Sequence, residues 1–202
     1  MRQAIVDSCF LSRFKKGTDL EKDFFTLIKE GDFDLCIHPY IYENELDMFP
    51  YVDELISKDI FHVMAYESFL RTDSYKEFYK GIFIEIYNEF ADRMEVINPR
   101  KAAYMKRLDD SIDIFTYRSM KSSLGDVHLI MLALFADIPI ILSEDSIDLR
   151  EAFQIATAKM NRAGFSLKLY CISDLIDEID ANPNKRISHS ELRRMKRAFG
   201  KS

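Results

Sequence analysis

The stretch Val127 to Ala136 is apolar nearly all round. A helix with no polar face cannot lie on a surface, so other elements have to bury it. Gly125-Asp126 opens this helix, and a short apolar run follows it, Ile138-Pro139-Ile140-Ile141-Leu142, ending at Ser143-Glu144-Asp145. Such a run between turn signals reads as a buried strand.

The rest of the chain alternates in the same way. Ala4-Ile5-Val6, closed by Asp7, is a first strand and Leu35-Cys36-Ile37-His38 a second. Leu167 to Ile172 is a further strand, followed by a short helix over Ser173 to Ile179. Between them, Asp19 to Glu30 is helical, with Gly31 just past its end. Pro39 starts a helix that carries Glu43, Glu45 and Leu46, since proline suits a first turn. Asp47 to Ser119 has an almost wholly helical pattern, broken at Asn98-Pro99 and resumed from Lys101 to Met120, and Ile147 to Met160 is helical again. Strands alternating with helices predict an α/β fold on a mostly parallel sheet of four or five strands. The expected layout is a body over 1–175, a helical insertion over about 47–120, and a helical basic tail over 176–202.

Charge limits what the chain can do. Its net charge of −6 argues against coating nucleic acid non-specifically. A site that collects cations makes a chain acidic, so a nuclease remains compatible. The tail from Lys185 to Ser202 carries seven Lys or Arg against one Glu, on an otherwise acidic body. Cys9, Cys36 and Cys171 are odd in number and widely spaced, which suits a reducing cytoplasm better than a disulfide framework or a zinc site. No apolar run reaches the length of a membrane span, and the N-terminus lacks a signal-peptide pattern.

In parallel sheets, sites lie beyond the carboxyl ends of the strands. That rule sorts the 34 acidic residues. Asp7 ends the first strand, and Asp145 follows the Ile138–Leu142 strand after a two-residue turn. Glu45 lies in the helix after the second strand, and Asp126 in the first turn of the buried helix, where the helix terminus favours a carboxylate. Convergent carboxylates repel one another, and a hard divalent cation, magnesium or manganese, resolves the repulsion. Such a site points to metal-assisted chemistry at a phosphodiester. Taken singly, each of these residues reads better as a helix cap or an ordinary strand-end carboxylate; all four at one rim favour the metal site.

At these residues the sequence resembles the PIN-domain ribonucleases. The matching segments are Ala4-Ile5-Val6-Asp7-Ser8, Glu45-Leu46 after Ile37-His38-Pro39, Gly125-Asp126-Val127-His128-Leu129-Ile130, and Ile140-Ile141-Leu142-Ser143-Glu144-Asp145. Leu124 to Arg150 is the most specific stretch. The resemblance implies a three-layer α/β/α sandwich and a magnesium- or manganese-dependent endoribonuclease acting on RNA. It gives Asp7, Glu45, Asp126 and Asp145 the catalytic and metal-binding roles, with Ser8 and Ser143 in support and Asp148 as a further acid. Glu43 is an alternative to Glu45, because one extra residue in the turn would swap their facing. Many small bacterial members are toxins, which makes an antitoxin an expected protein partner; a homodimer is a second candidate assembly. The segment between Glu45 and Asp126 is longer than in compact members. An altered insertion is compatible with a catalytically inactive module that binds RNA or protein.

Other features carry weaker signals. Arg118 and Lys121 precede Asp126 and are candidates for phosphate contact. Arg100, Lys101, Lys106 and Arg107 form a second basic cluster, with Asp109 and Asp110 close behind. Asp180 to Glu191 approximates a calcium loop, but the sharp-turn position holds Lys185, and Ser188 with Glu191 reads as a capping box. A phosphoryl-accepting receiver domain would want paired acids ahead of Asp7 and a late strand ending in Lys, and neither is evident.

Overall fold

A computed structural model describes residues 1–14, 17–47, 49, 51–119 and 122–200. β1 (Arg2–Val6) leads through α1 (Ser8–Leu11) and α2 (Asp19–Gly31) to β2 (Phe33–Ile37). α3 (Pro39–Asn44) and α4 (Tyr51–Ser57) precede β3 (Phe61–Val63). α5 (Tyr66–Phe69), α6 (Asp73–Ile97), α7 (Pro99–Ala102) and α8 (Leu124–Phe135) precede β4 (Ile140–Leu142). α9 (Ser146–Lys159), β5 (Lys168–Tyr170), α10 (Ile172–Ala181) and α11 (His189–Phe199) complete the chain.

The five strands form one parallel sheet in the order β3-β2-β1-β4-β5. Ile5 and Val6 pair with Ile141 and Leu142, and the Asp7 N–H donates to the Leu142 carbonyl at 3.0 Å. The order reverses between β1 and β4. Crossovers on the two sides of such a point diverge and leave a crevice at the strands' carboxyl ends. α2, α10 and α11 pack together, while α6, α8 and α9 form a second group. The result is an α/β sandwich, with α8 buried as its sequence demands: Val127 and Leu129 to Leu134 are all 0% exposed.

Helix ends differ from the glycine-based reading. Gly31 is the last helical residue, and Asp32 beyond it takes the left-handed conformation (φ 53°). Asp59, Asp137 and Asn161 do the same after α4, α8 and α9. Asp and Asn tolerate this region better than other non-glycine residues, so a chain with only 6 Gly can still stop its helices sharply.

The long segment read as helix is interrupted twice. Phe61–Val63 forms the edge strand β3, paired with Leu35 to Ile37. Beyond Ala102 the chain leaves the helix, and residues 103–119 run as turns and extended loop. Asp109 accepts from the Ser111 N–H at 2.9 Å, and Asp113 from the Phe115 N–H at 3.2 Å. These local side-chain bonds compete with helical hydrogen bonding. Core rings hold the loop in place. His128 Nε2 lies 3.2 Å from the Ile114 carbonyl, Tyr40 Oη donates to Tyr117 O at 3.1 Å, and Tyr87 Oη donates to Ser122 O at 3.0 Å.

The C-terminal segment is docked. α10 runs through residue 175, and α11 buries Leu192, Met195 and Phe199. Arg194 makes a two-pronged ion pair with Asp23 of α2, at 2.6 Å for both bonds. The Asp180–Glu191 stretch follows the capping-box reading. Ser188 and Glu191 cap α11, while Asp180 pairs with Lys185 and His189. No helix among the described residues is long and apolar enough to cross a membrane.

Candidate active site

Asp7 leaves β1 at the topological switch, and its carboxylate is 6% exposed. Oδ2 accepts from Ser143 Oγ at 2.7 Å and from Cys9 Sγ at 2.7 Å. Ser143 in turn accepts from the Asp145 N–H at 3.0 Å. The loop after β4 therefore orients the aspartate that follows β1.

Ser8 bridges to the next acid. Its Oγ donates to Glu45 Oε2 at 2.6 Å and lies 3.3 Å from Asp7 Oδ1. α3 ends at Asn44, two residues short of the Leu46 that the sequence reading included, which makes Glu45 its C-cap. Burial pushes the Glu45 carboxyl up to about 7 and Asp7 adds to the shift, with the Ser8 hydroxyl opposing. Glu43 is exposed and does not line the cleft. Its carbonyl accepts from Arg118 at 3.0 Å instead.

Asp126 is the third residue of α8. Burial, then repulsion by Asp7, raises its carboxyl to about 7, while Lys101 pulls in the opposite direction. Gly125 gives the start of α8 room beside Glu45. A Cβ there would run into the Glu45 carboxylate and come within 2.8 Å of Ile41 Cδ1. Gly125→Ala is accordingly expected to displace Glu45 and cut any activity that needs it by more than ~10-fold. A shift of about 1 Å in a catalytic group can cost ~100-fold. A kinetic comparison beside an unfolding curve checks this, and wild-type activity in a normally folded variant would refute it.

Asp7, Glu45 and Asp126 line one cleft of about 1140 Å³. Asp145 does not line it. It is exposed at the rim as the N-cap of α9, although its charge still bears on Asp126. Asp148 is buried beside Asp126, where Lys101 reaches both: its Nζ lies 3.7 Å from Asp126 Oδ2 and contacts Asp148 Oδ2. Among the described residues, no group of three or more His, Cys, Asp or Glu side chains is gathered closely enough to form a metal-ligand set.

The insertion contributes to the same cleft. Asn98, Arg100, Lys101, Tyr104, Arg118 and Ser119 all line the cleft. Lys121 lies outside the described residues. Arg107 is drawn away by Asp92. Sequence reasoning grouped Arg100 and Lys101 as basic, but it gave no reason to bring them to the acids. It passed over Tyr40 and Tyr104 altogether. Cys9 was legible only as an unpaired thiol. In the fold, burial and the neighbouring Asp7 push that thiol up to about 12, so it serves as a neutral donor.

Comparison with family models, characterised proteins and solved structures gave no match to this chain.

Proposed function

We propose that this chain is a magnesium- or manganese-dependent endoribonuclease of the PIN type, working in the cleft at the β1–β4 switch. The observation that carries the reading is the make-up of that cleft. The carboxylates of Asp7, Glu45 and Asp126 share it with the cationic groups of Arg100, Lys101 and Arg118, and Lys101 reaches Asp126 directly. The chemistry of the donors suits a hard divalent cation, since all are carboxylate oxygens, but among the described residues they are not gathered into a ligand set, so binding would require the side chains to draw together. Asp7, Glu45 and Asp126 would hold the ion. When bound, it would polarise the scissile phosphate and acidify a bound water.

The chain's own residues do the rest. Ser143 and Cys9 fix Asp7, and Ser8 fixes Glu45 against it. Arg100 and Arg118 would meet incoming phosphates, while the exposed Tyr104 offers ring surface for an unstacked base. Single-stranded RNA is the substrate these groups fit, and a reducing cytoplasm suits the three free thiols.

The test is incubation of structured and single-stranded RNA with the protein in manganese, magnesium or EDTA. Cleavage that survives EDTA or Asp126→Asn would sink the metal-nuclease reading. The second reading is a non-catalytic RNA- or protein-binding module, favoured by the Lys101 contacts that already neutralise part of the acidic cluster. Absence of cleavage together with absence of manganese affinity would support it. Arg118→Ala is expected to weaken RNA binding at all sequences and lower the slope of log affinity against log salt by about 1. Affinities measured across a salt series would show an unchanged slope if Arg118 meets no phosphate.

A further inference from the structure

α6 turns only one face to the core. Tyr79, Phe83, Ile86, Tyr87 and Phe90 are buried, whereas Tyr75 and Phe78 are each 56% exposed and Ile82 is half-buried. Tyr75, Phe78 and Ile82 recur at spacings of three and four, so they form one stripe on the helix. Phe78 reaches Phe135, the last residue of α8, at 6.0 Å between ring centres. Isolated exposed apolar residues are ordinary, but adjacent aromatics on one face mark an interaction surface. Gly81 borders the stripe. Glycine weakens a helix interior, and a Cβ at this position would meet nothing within 4 Å. The packing of this chain gives no reason for a glycine here, whereas close approach of another backbone does.

The stripe ends in opposite charges. Arg71 lies four residues before Tyr75, just ahead of the Thr72 N-cap, and Glu85 and Glu89 follow Ile82 at three and seven. Set antiparallel to a copy of itself, with the two-fold axis at the level of Lys80, the stripe pairs Phe78 with Ile82, Tyr75 with Glu85 and Arg71 with Glu89. Apolar groups then meet at the centre, a phenol donates to a carboxylate on either side, and each cation meets an anion at the ends. Lys159 and Arg93 hold Glu89 at 3.1 and 3.0 Å, which fixes the carboxylate that the second copy's cation meets. An interface between identical faces has to be self-complementary in this way, and a face for an unlike partner does not.

We propose that α6 pairs antiparallel with α6 of a second copy of this chain, forming a homodimer through the stripe from Arg71 to Glu89. α8 connects this face to the cleft: from Asp126 to Phe135 it spans roughly 14 Å. Both clefts therefore stay open in the dimer. A single helix pair covers less area than a standard interface, so the dimer forms reversibly and dissociates on dilution. The pairing stands or falls independently of the nuclease reading.

Sedimentation velocity of the full chain across the micromolar range tests it. Wild type is expected to move from the mass of one chain toward that of two as concentration rises. Phe78→Glu sets two carboxylates at the centre of the interface and should weaken association more than ~10-fold. Phe78 is exposed, so the variant should fold normally, which an unfolding curve checks. Charge inversion tests the antiparallel pairing. Arg71→Glu and Glu89→Arg each place like charges opposite one another and should associate several-fold more weakly than wild type. Mixed in equal amounts, the two variants bring Glu opposite Arg at both ends, and association should return. A wild type that stays monomeric, or a dimer that survives Phe78→Glu, would overturn the interface. A mixture that associates no better than its folded components would overturn the antiparallel pairing.

Discussion

Asp126→Asn is expected to abolish RNA cleavage and, without metal, to make the protein more stable at neutral and alkaline pH. The first effect should exceed ~100-fold, since groups that merely support a metal ligand are already worth ~10–100-fold. The second follows from proton linkage. The carboxyl of Asp126 is raised to about 7 in the fold, above its ordinary 3.8. A raised carboxyl stabilises the folded state below the unfolded pKa, where both states are protonated, and loses that advantage as pH rises through 7. At pH 8 the ionised, crowded carboxylate costs about 3–4 kcal/mol relative to a neutral group. Asn removes the charge. The melting temperature at pH 8 in EDTA should rise by roughly 5–10 °C for a chain of this size. Manganese should raise the melting temperature of wild type and do less for the variant. A variant that melts lower than wild type at pH 8 would show that Asp126 is not held under repulsion.

The second large effect belongs to the buried pair His38 and His128. The Tyr40 N–H donates to His38 Nδ1 at 2.9 Å, so the proton of neutral His38 is on Nε2, facing Tyr79 Oη at 3.4 Å. His128 Nε2 lies 3.2 Å from a carbonyl, which can only accept, so its Nδ1 is the acceptor for Tyr79 Oη at 3.3 Å. The protons thus run in one direction: His38 to Tyr79, Tyr79 to His128, His128 to Ile114. Neither ring has room for a second proton. Burial lowers His128 to about 3, and lowers His38 well below 6.5 with His128 adding to it. For these groups the sign is opposite to that of Asp126. The stability they contribute is present above pH 6.5 and is lost as pH falls below it, toward the folded pKa. Between pH 7 and 4.5 His128 costs about 2.5 kcal/mol, and His38 acts in the same direction.

His128→Leu tests this. It leaves the Tyr79 O–H proton without its acceptor and the Ile114 carbonyl without its donor, a loss of about 2–5 kcal/mol at pH 7. The gap to wild type should narrow by about 2.5 kcal/mol at pH 4.5, because only wild type still carries that suppressed proton. Urea unfolding at both pH values measures the gap, and a constant gap would refute the neutral-histidine network. Over the same window the raised carboxyls of Glu45 and Asp126 gain stability as pH falls, by about 3 kcal/mol each. The two pairs act in opposite directions, so on lowering the pH Asp126→Asn, which lacks one of the carboxyl gains, should lose stability relative to wild type.

Much of this arrangement was legible in the chain. Short apolar runs ending in Asp7 and in Ser143-Glu144-Asp145 fixed two strand ends, because a buried parallel strand has to be apolar and its carboxyl end has to be polar. The apolar surround of Val127–Ala136 required burial in any fold. Asp7 and Asp126 therefore fell at the same rim from sequence alone. Three-residue strands such as Phe61–Val63 carry no period, so β3 was hidden among helices. Helix stops were hidden as well, because Asp32, Asp59, Asp137 and Asn161 take the place that glycine signals elsewhere.

Tertiary structure alone decided which acids share a cleft. Glu43 and Glu45 differ by two residues, and only the shortened end of α3 and the missing Cβ of Gly125 select Glu45. Asp145 satisfied every sequence criterion, yet as the N-cap of α9 it stays in solvent. Lys101 joins Asp126 and Asp148 across two long sequence separations through an ion pair that no local pattern encodes. Periodicity reports which face of an element is buried. It does not report which charges two distant elements bring within 4 Å, and at this site that distance decides the chemistry.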